Sequence, residues 1–245
     1  MMSPERIELL GVPVDCVDMG QSLEAVDALI QGDCAKTVIA VNPEKIIKAR
    51  TDTKLLRLLQ QSGLLIPDGI GAVIAVKILH GKSISRVPGS ELMPEICRRS
   101  ISKGYKLFLL GAAPEVNEKA VEVLKEKYQG INIVGSQHGY YSDDEIPALI
   151  DQINDSEADV LFVALGSPRQ ELWMEEYLPK LNVKVCQGVG GTFDVIAGKV
   201  KRAPALFLKM HMEWLYRLLA QPKRLLRQTA LPKFVYLVFK QKLFG

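Results

Sequence analysis

Six short stretches place polar or glycine-rich groups directly after apolar runs: Asn42-Pro43-Glu44, Pro67-Asp68-Gly69, Gly111 to Pro114, Gly139-Tyr140-Tyr141, Gly166 to Glu171 and Gly188 to Asp194. Glycines at such points let backbone N–H groups come close to a phosphate or a base, and a helix starting next adds a partial positive charge. Taken singly, each stretch also reads as an ordinary tight turn. Asp68 is the most suggestive carboxylate, because it separates an apolar run from Gly69-Ile70-Gly71. It can cap a helix, or it can act as a general base toward a hydroxyl. The motif search also excludes chemistry. Gly188, Gly190 and Phe193 do not make G-x-G-x-x-G, and there is no P-loop, no G-x-S-x-G and no D-x-D pair to hold a metal on a diphosphate. Neither a cofactor nor a metal is expected.

The elements that must position these residues follow from the pattern of apolar runs. Strands are predicted at Thr37–Val41, Leu64–Ile66, Lys106–Leu110, Ile131–Val134, Val160–Leu165 and Val183–Val189, with helices such as Glu115–Tyr128 and Asp144–Asn154 between them. Alternation of this kind implies an α/β fold, Rossmann-like, with a mostly parallel sheet flanked by helices. Ligands of open parallel sheets bind beyond the carboxyl ends of the strands, where the six stretches lie. After Ala203-Pro204 the sequence changes to Leu-rich, aromatic and basic helical stretches, with Pro222 and Pro232 as natural breaks. The expected organisation is an α/β catalytic domain over 1–199 and a helical, membrane-binding appendage over 200–245.

Charge supports that division. From Lys199 onward eleven Lys and Arg stand against one acid, Glu213; of the 31 bases and 28 acids in the chain, 20 and 27 remain before it. A basic tail on an acidic body points to an anionic partner, and no nucleic-acid motif accompanies it, so an anionic membrane surface is the favoured one. No apolar stretch reaches the roughly 18 residues of a spanning helix, so contact with a membrane would be peripheral. The N-terminal residues lack an export signal, and the protein is expected on the cytoplasmic side. Cys16, Cys34, Cys97 and Cys186 are scattered and read as reduced core thiols. Three functional classes stay open on these grounds: a membrane-associated transferase, a Rossmann-type nucleotide-cofactor enzyme, and a non-enzymatic module for membrane or nucleic acid.

Several strings taken together single out one class. Asn42-Pro43-Glu44, Pro67 to Gly71, Arg86 to Leu92, Gly166 to Glu171 with Trp173, Gly188 to Asp194, Arg202-Ala203-Pro204 and the tail residues Glu213 to Leu218, Pro222, Arg224 and Arg227 resemble the WecG/TagA/CpsF family of bacterial glycosyltransferases from about Leu9 to Arg227. The resemblance implies an inverting, metal-independent transfer of an N-acetylmannosamine-type sugar. The donor would be a UDP-sugar and the acceptor undecaprenyl-diphosphate-linked N-acetylglucosamine, on the route to wall teichoic acid or a related polysaccharide. It implies Asp68 as the base, with Asn42 and Arg86 positioning sugar or diphosphate. Gln170, Gly190, Gly191, Thr192, Phe193 and Asp194 would bind the nucleotide, and Tyr140 would offer a ring face to the base. Arg217, Arg224 and Arg227 would meet the diphosphate from the tail. Nucleic acid is not an expected partner, and self-association stays open.

Overall fold

The structure, a computed structural model, describes residues 4–200 and 229–244. In chain order it has β1 (Arg6–Leu9), β2 (Val12–Asp15), α1 (Met19–Ile30), β3 (Lys36–Val41), α2 (Pro43–Ala49), α3 (Thr53–Gln61), β4 (Leu64–Pro67), α4 (Ile70–His80), α5 (Gly89–Lys103), β5 (Lys106–Gly111) and α6 (Pro114–Lys127). There follow β6 (Asn132–Gln137), α7 (Ile146–Asp155), β7 (Val160–Ala164), α8 (Arg169–Tyr177), β8 (Val185–Gly188), α9 (Thr192–Ile196) and, after residues 201–228, α10 (Ala230–Phe244).

Strands β3 to β8 form one sheet in the order β4-β3-β8-β7-β5-β6, and every pair in it is parallel. All six of these strands are anticipated by the apolar runs, and the α/β class holds. Parallel strands covered on both faces read as nearly continuous apolar runs, which is why they stand out in the sequence. Alternate residues divide between two cores. Ile39, Leu65, Phe108, Leu110, Leu161 and Val163 face α2, α3, α4, α7, α8 and α10. Val38, Leu64, Ile66, Leu107, Leu109, Val160 and Phe162 face α1, α5, α6 and α9.

The chain turns outward in opposite directions from β3 to β4 and from β5 to β6, so a crevice opens at the carboxyl ends of the central strands. Local signals set where the helices around it begin. Asn42 caps α2 by accepting from the Lys45 N–H at 2.9 Å, with Pro43 in the first turn, where a missing N–H costs nothing. The N-termini of α2 and α4 press together, since a methyl on Gly71 would lie 2.8 Å from Pro43 Cγ.

Two features lie beyond what the apolar runs predict. The antiparallel hairpin β1–β2 is tied to the edge of the main sheet by Asp15, which is fully buried and accepts from Leu65 N at 2.8 Å and from Arg6 Nε at 2.7 Å. The last helix, α10, packs on α2 and α4 and contributes Phe234 and Val238 to the core. Pro232 falls in its first turn, so this proline opens a helix where a break was expected. Of the four cysteines only Cys97 and Cys186 are core thiols; Cys16 is half-buried and Cys34 is exposed.

Replacing Asp15 with alanine leaves a buried amide and a guanidinium without their acceptor. The expected loss is about 2 to 3 kcal/mol in urea unfolding. Unaltered stability would show that the hairpin is held by its apolar contacts alone.

Candidate functional site

A cleft of about 550 Å³ opens at the carboxyl ends of β3, β4, β7 and β8. The segment after each strand supplies part of its lining: Asn42 to Lys45 with Lys48 after β3, Asp68 to Gly71 after β4, Gly166, Ser167 and Gln170 after β7, and Gly188 to Thr192 after β8. Arg86 and Pro88 to Ser90, between α4 and the first turn of α5, form another wall, and Ala230 and Leu231 of α10 complete it. Backbone bonds stitch these segments to the sheet. Asp68 N donates to Val41 O at 2.9 Å, and Val87 N donates to Pro67 O at 2.9 Å, which brings the Arg86 loop back over the end of β4.

Asp68 does not hold the helix-capping position. Gly69 does, at a φ of 93° that favours glycine, and Asp68 lies one residue outside it, half-buried on the cleft wall. The helices α2, α4, α5, α8 and α9 all begin at this cleft, so their unsatisfied N–H groups and dipoles make it favourable to anions. Lys45, Lys48 and Arg86 line it against the two acids Glu44 and Asp68.

Under the floor runs a polar network. Lys45 Nζ contacts Glu171 Oε1 at 2.7 Å, Gln170 Nε2 donates to the same oxygen at 3.1 Å, and Gly190 N donates to Gln170 Oε1 at 3.0 Å. Lys45 and Glu171 are only 7% and 2% exposed. Burial pushes the Glu171 carboxyl up, but the Lys45 ammonium and hydrogen bonds from Lys45, Gln170 and Ser167 outweigh it and hold the group below its ordinary value of 4.5.

Seven of the residues singled out from the sequence come together here: Asn42, Asp68, Arg86, Gln170, Gly190, Gly191 and Thr192. Three do not line the cleft. Phe193 is fully buried in the core between the sheet and α9. Tyr140 is 74% exposed, in a loop packed over the ends of β5 and β7, where a methyl on Gly139 would lie 2.8 Å from Leu165 Cδ2. Asp194 is half-buried on α9. Tyr140 and Asp194 both lie within electrostatic reach of Lys199. The Lys199 ammonium is raised first by its hydrogen bond to Glu115, at 3.1 Å, with further contributions from Asp194 and Tyr140. Arg217, Arg224 and Arg227 lie outside the described residues.

The sequence matches the glycosyl transferase WecG/TagA/CpsF family over residues 7–245, nearly its whole length. The chain belongs to this family. As a WecG/TagA/CpsF glycosyltransferase it acts on a sugar donor and an acceptor, and the cleft at the strand ends is the candidate place for both. Among the described residues no three His, Cys, Asp or Glu side chains gather as a metal site. Lys45 and Lys48 are cleft residues that sequence reasoning did not single out. Lys45 and Lys48 follow Asn42 at helical spacing, three and six residues on, which is the one signal that could have found them.

Because the Glu171 value is depressed in the folded chain, its stabilising contribution is complete above about pH 4.5 and is lost as pH falls through the folded value. Glu171→Gln should start from a lower melting temperature at neutral pH. It should then lose less than the parent as pH is lowered below 4.5, measured by thermal melts across that window. Parallel curves for the two proteins would show that this carboxylate is not part of the acid sensitivity.

Proposed function

We propose that this glycosyltransferase moves an N-acetylmannosamine-type sugar from a UDP donor to undecaprenyl-diphosphate-linked N-acetylglucosamine, on the cytoplasmic face of a membrane, in synthesis of wall teichoic acid or a related polysaccharide. The observation that carries the reading is the convergence of Asp68, Asn42 and Arg86 on one anion-favouring cleft at the strand ends. In this reading the Asp68 carboxylate takes the proton of the acceptor hydroxyl as that oxygen attacks the anomeric carbon from the side opposite the diphosphate. The bond from the anomeric carbon to the diphosphate oxygen breaks, UDP leaves with the electron pair, and the configuration inverts. Arg86, Lys48 and the helix N-termini meet the charge growing on the leaving group, which makes a metal unnecessary. Asn42 orients sugar hydroxyls. The Gly190–Thr192 turn holds the phosphates and ribose, and the nucleobase extends toward Asp194 and the Tyr140 ring. Arg217, Arg224 and Arg227 reach the diphosphate from the tail.

The reading of a peripheral membrane attachment draws on α10. While Phe234 and Val238 dock inward, Val235, Tyr236, Phe239, Leu243 and Phe244 are exposed among Lys233, Lys240 and Lys242, and Ile74 of α4 adds to the exposed apolar surface. This is the composition of an element lying on anionic lipid. No helix among the described residues is long and apolar enough to cross a membrane.

Asp68→Asn keeps shape and removes basicity. It should retain UDP binding while turnover on a lipid-diphosphate acceptor falls by about a hundredfold or more; normal turnover by the purified variant would remove Asp68 from the chemistry. Replacing Phe239 and Leu243 together by serine should leave the melting temperature in place and weaken sedimentation with vesicles containing anionic lipid. Undiminished sedimentation would move the attachment surface elsewhere.

A further inference from the structure

The floor of the cleft contains a charge pair that the transfer chemistry above does not use. Lys45 on α2 and Glu171 on α8 meet at 2.7 Å across 126 positions of sequence, almost wholly out of water. A buried ion pair is often no more stabilising than an apolar pair of the same shape. Stability alone therefore does not explain its place beneath a reaction cleft.

The hydrogen bonds supply another reason. Glu171 Oε1 accepts from both Lys45 Nζ and Gln170 Nε2. With its NH₂ end held on a carboxylate, the Gln170 carboxamide can present only its oxygen on the other side, and that oxygen accepts the Gly190 N–H at 3.0 Å. The amide also lies against bare backbone, since a methyl on Gly188 would stand 2.7 Å from Gln170 Nε2 and 3.2 Å from Cδ. At the other end of the chain of contacts, the backbone N–H of Lys45 is the donor that Asn42 Oδ1 accepts. One connected network thus fixes the start of α2, the start of α8 and the turn after β8.

We propose that Lys45 and Glu171 are positioning residues for the transfer reaction, orienting the Gln170 carboxamide so that it sets the Gly190 turn around the donor's diphosphate. The proposal rests on the transferase reading above. Neither residue touches reacting atoms; both act through Gln170.

The test compares full-length wild type, Lys45→Met/Glu171→Leu, Gln170→Leu and the triple variant, by steady-state kinetics with a UDP-sugar and a short-chain lipid-diphosphate acceptor, by UDP binding and by thermal melting. The double variant keeps volume and removes both charges, so its melting temperature should stay close to that of wild type. Its kcat should fall about ten- to a hundredfold while its Kd for UDP changes little, as expected when reacting groups are misplaced by a fraction of an ångström to an ångström. The triple variant should be no slower than Gln170→Leu, because the pair acts through that amide. A double variant with wild-type kcat, or a triple variant whose loss is the product of the two separate losses, overturns the proposal. Should the double variant fail to fold, Gly188→Ala presses on the same amide with the ion pair intact and should show the same fall in kcat. Unchanged kcat in that variant overturns the proposal as well. Wild type inactive with every UDP-sugar would sink the transferase reading and this inference with it, whereas an active wild type matched by its variants sinks only the positioning role.

Discussion

Parallel strands cannot be joined by tight turns, so each must be followed by a crossover that returns over a face of the sheet, and here helices make most of those crossovers. The strands in turn are apolar on both sides and must be covered. The only edges left for polar groups are the two ends of the strands, and the helices that start at the carboxyl ends bring their N-termini to the same rim. The cleft, its favourable setting for anions and the gathering there of residues from separate stretches of sequence all follow from that one constraint. Gly71 against Pro43 and Gly188 against Gln170 show how closely the rim is packed, since at either point a single methyl would push a wall aside.

The buried ion pair has a direction as well as a location. Lys45 lines the cleft, whereas Glu171 also borders a small crevice against α3, beside Asp52, Leu55 and Leu58. The pair is neutral overall, and its cationic partner is the one that borders the cleft. An oriented dipole of this kind adds a positive potential without an exposed ammonium that water and salt would screen. Lys48 and Arg86, both half-buried, supply full charges on the walls of the same cleft.

What could be read from the sequence and what could not divide along physical lines. Five of the six parallel strands are legible because burial on both faces makes each a nearly continuous apolar run, whereas the edge strand β6 is only half-buried and shows as a short Ile-Val pair. The strand ends are legible because glycine, proline and carboxamides cluster there. The hairpin β1–β2 is short, carries Pro13 and is anchored by an Asp15 whose partner Leu65 is 50 positions away, so no local pattern marks it. Lys45 is hidden for the same reason, and Glu171, though it closes the Gly166–Glu171 string, carries no local mark of its partner 126 positions away. Phe193 shows the reverse error. It sits inside a glycine-rich string that borders the cleft, but the first turn of α9 directs it into the core, and adjacency in sequence gave no warning of that. Asp68 is the case in which local reasoning left two roles standing, and the fold puts Gly69, not Asp68, at the N-cap position of α4.

The placement of α10 makes the two ends of one helix report on different things. Its first turn, Ala230 and Leu231, borders the cleft, and its last residues, Leu243 and Phe244, are exposed about 20 Å along the axis. A fluorophore attached at Leu231 therefore senses occupancy of the cleft. The same dye at Leu243 stands clear of the cleft, so a pair of singly labelled proteins separates filling of the site from events at the far end of the helix in real time.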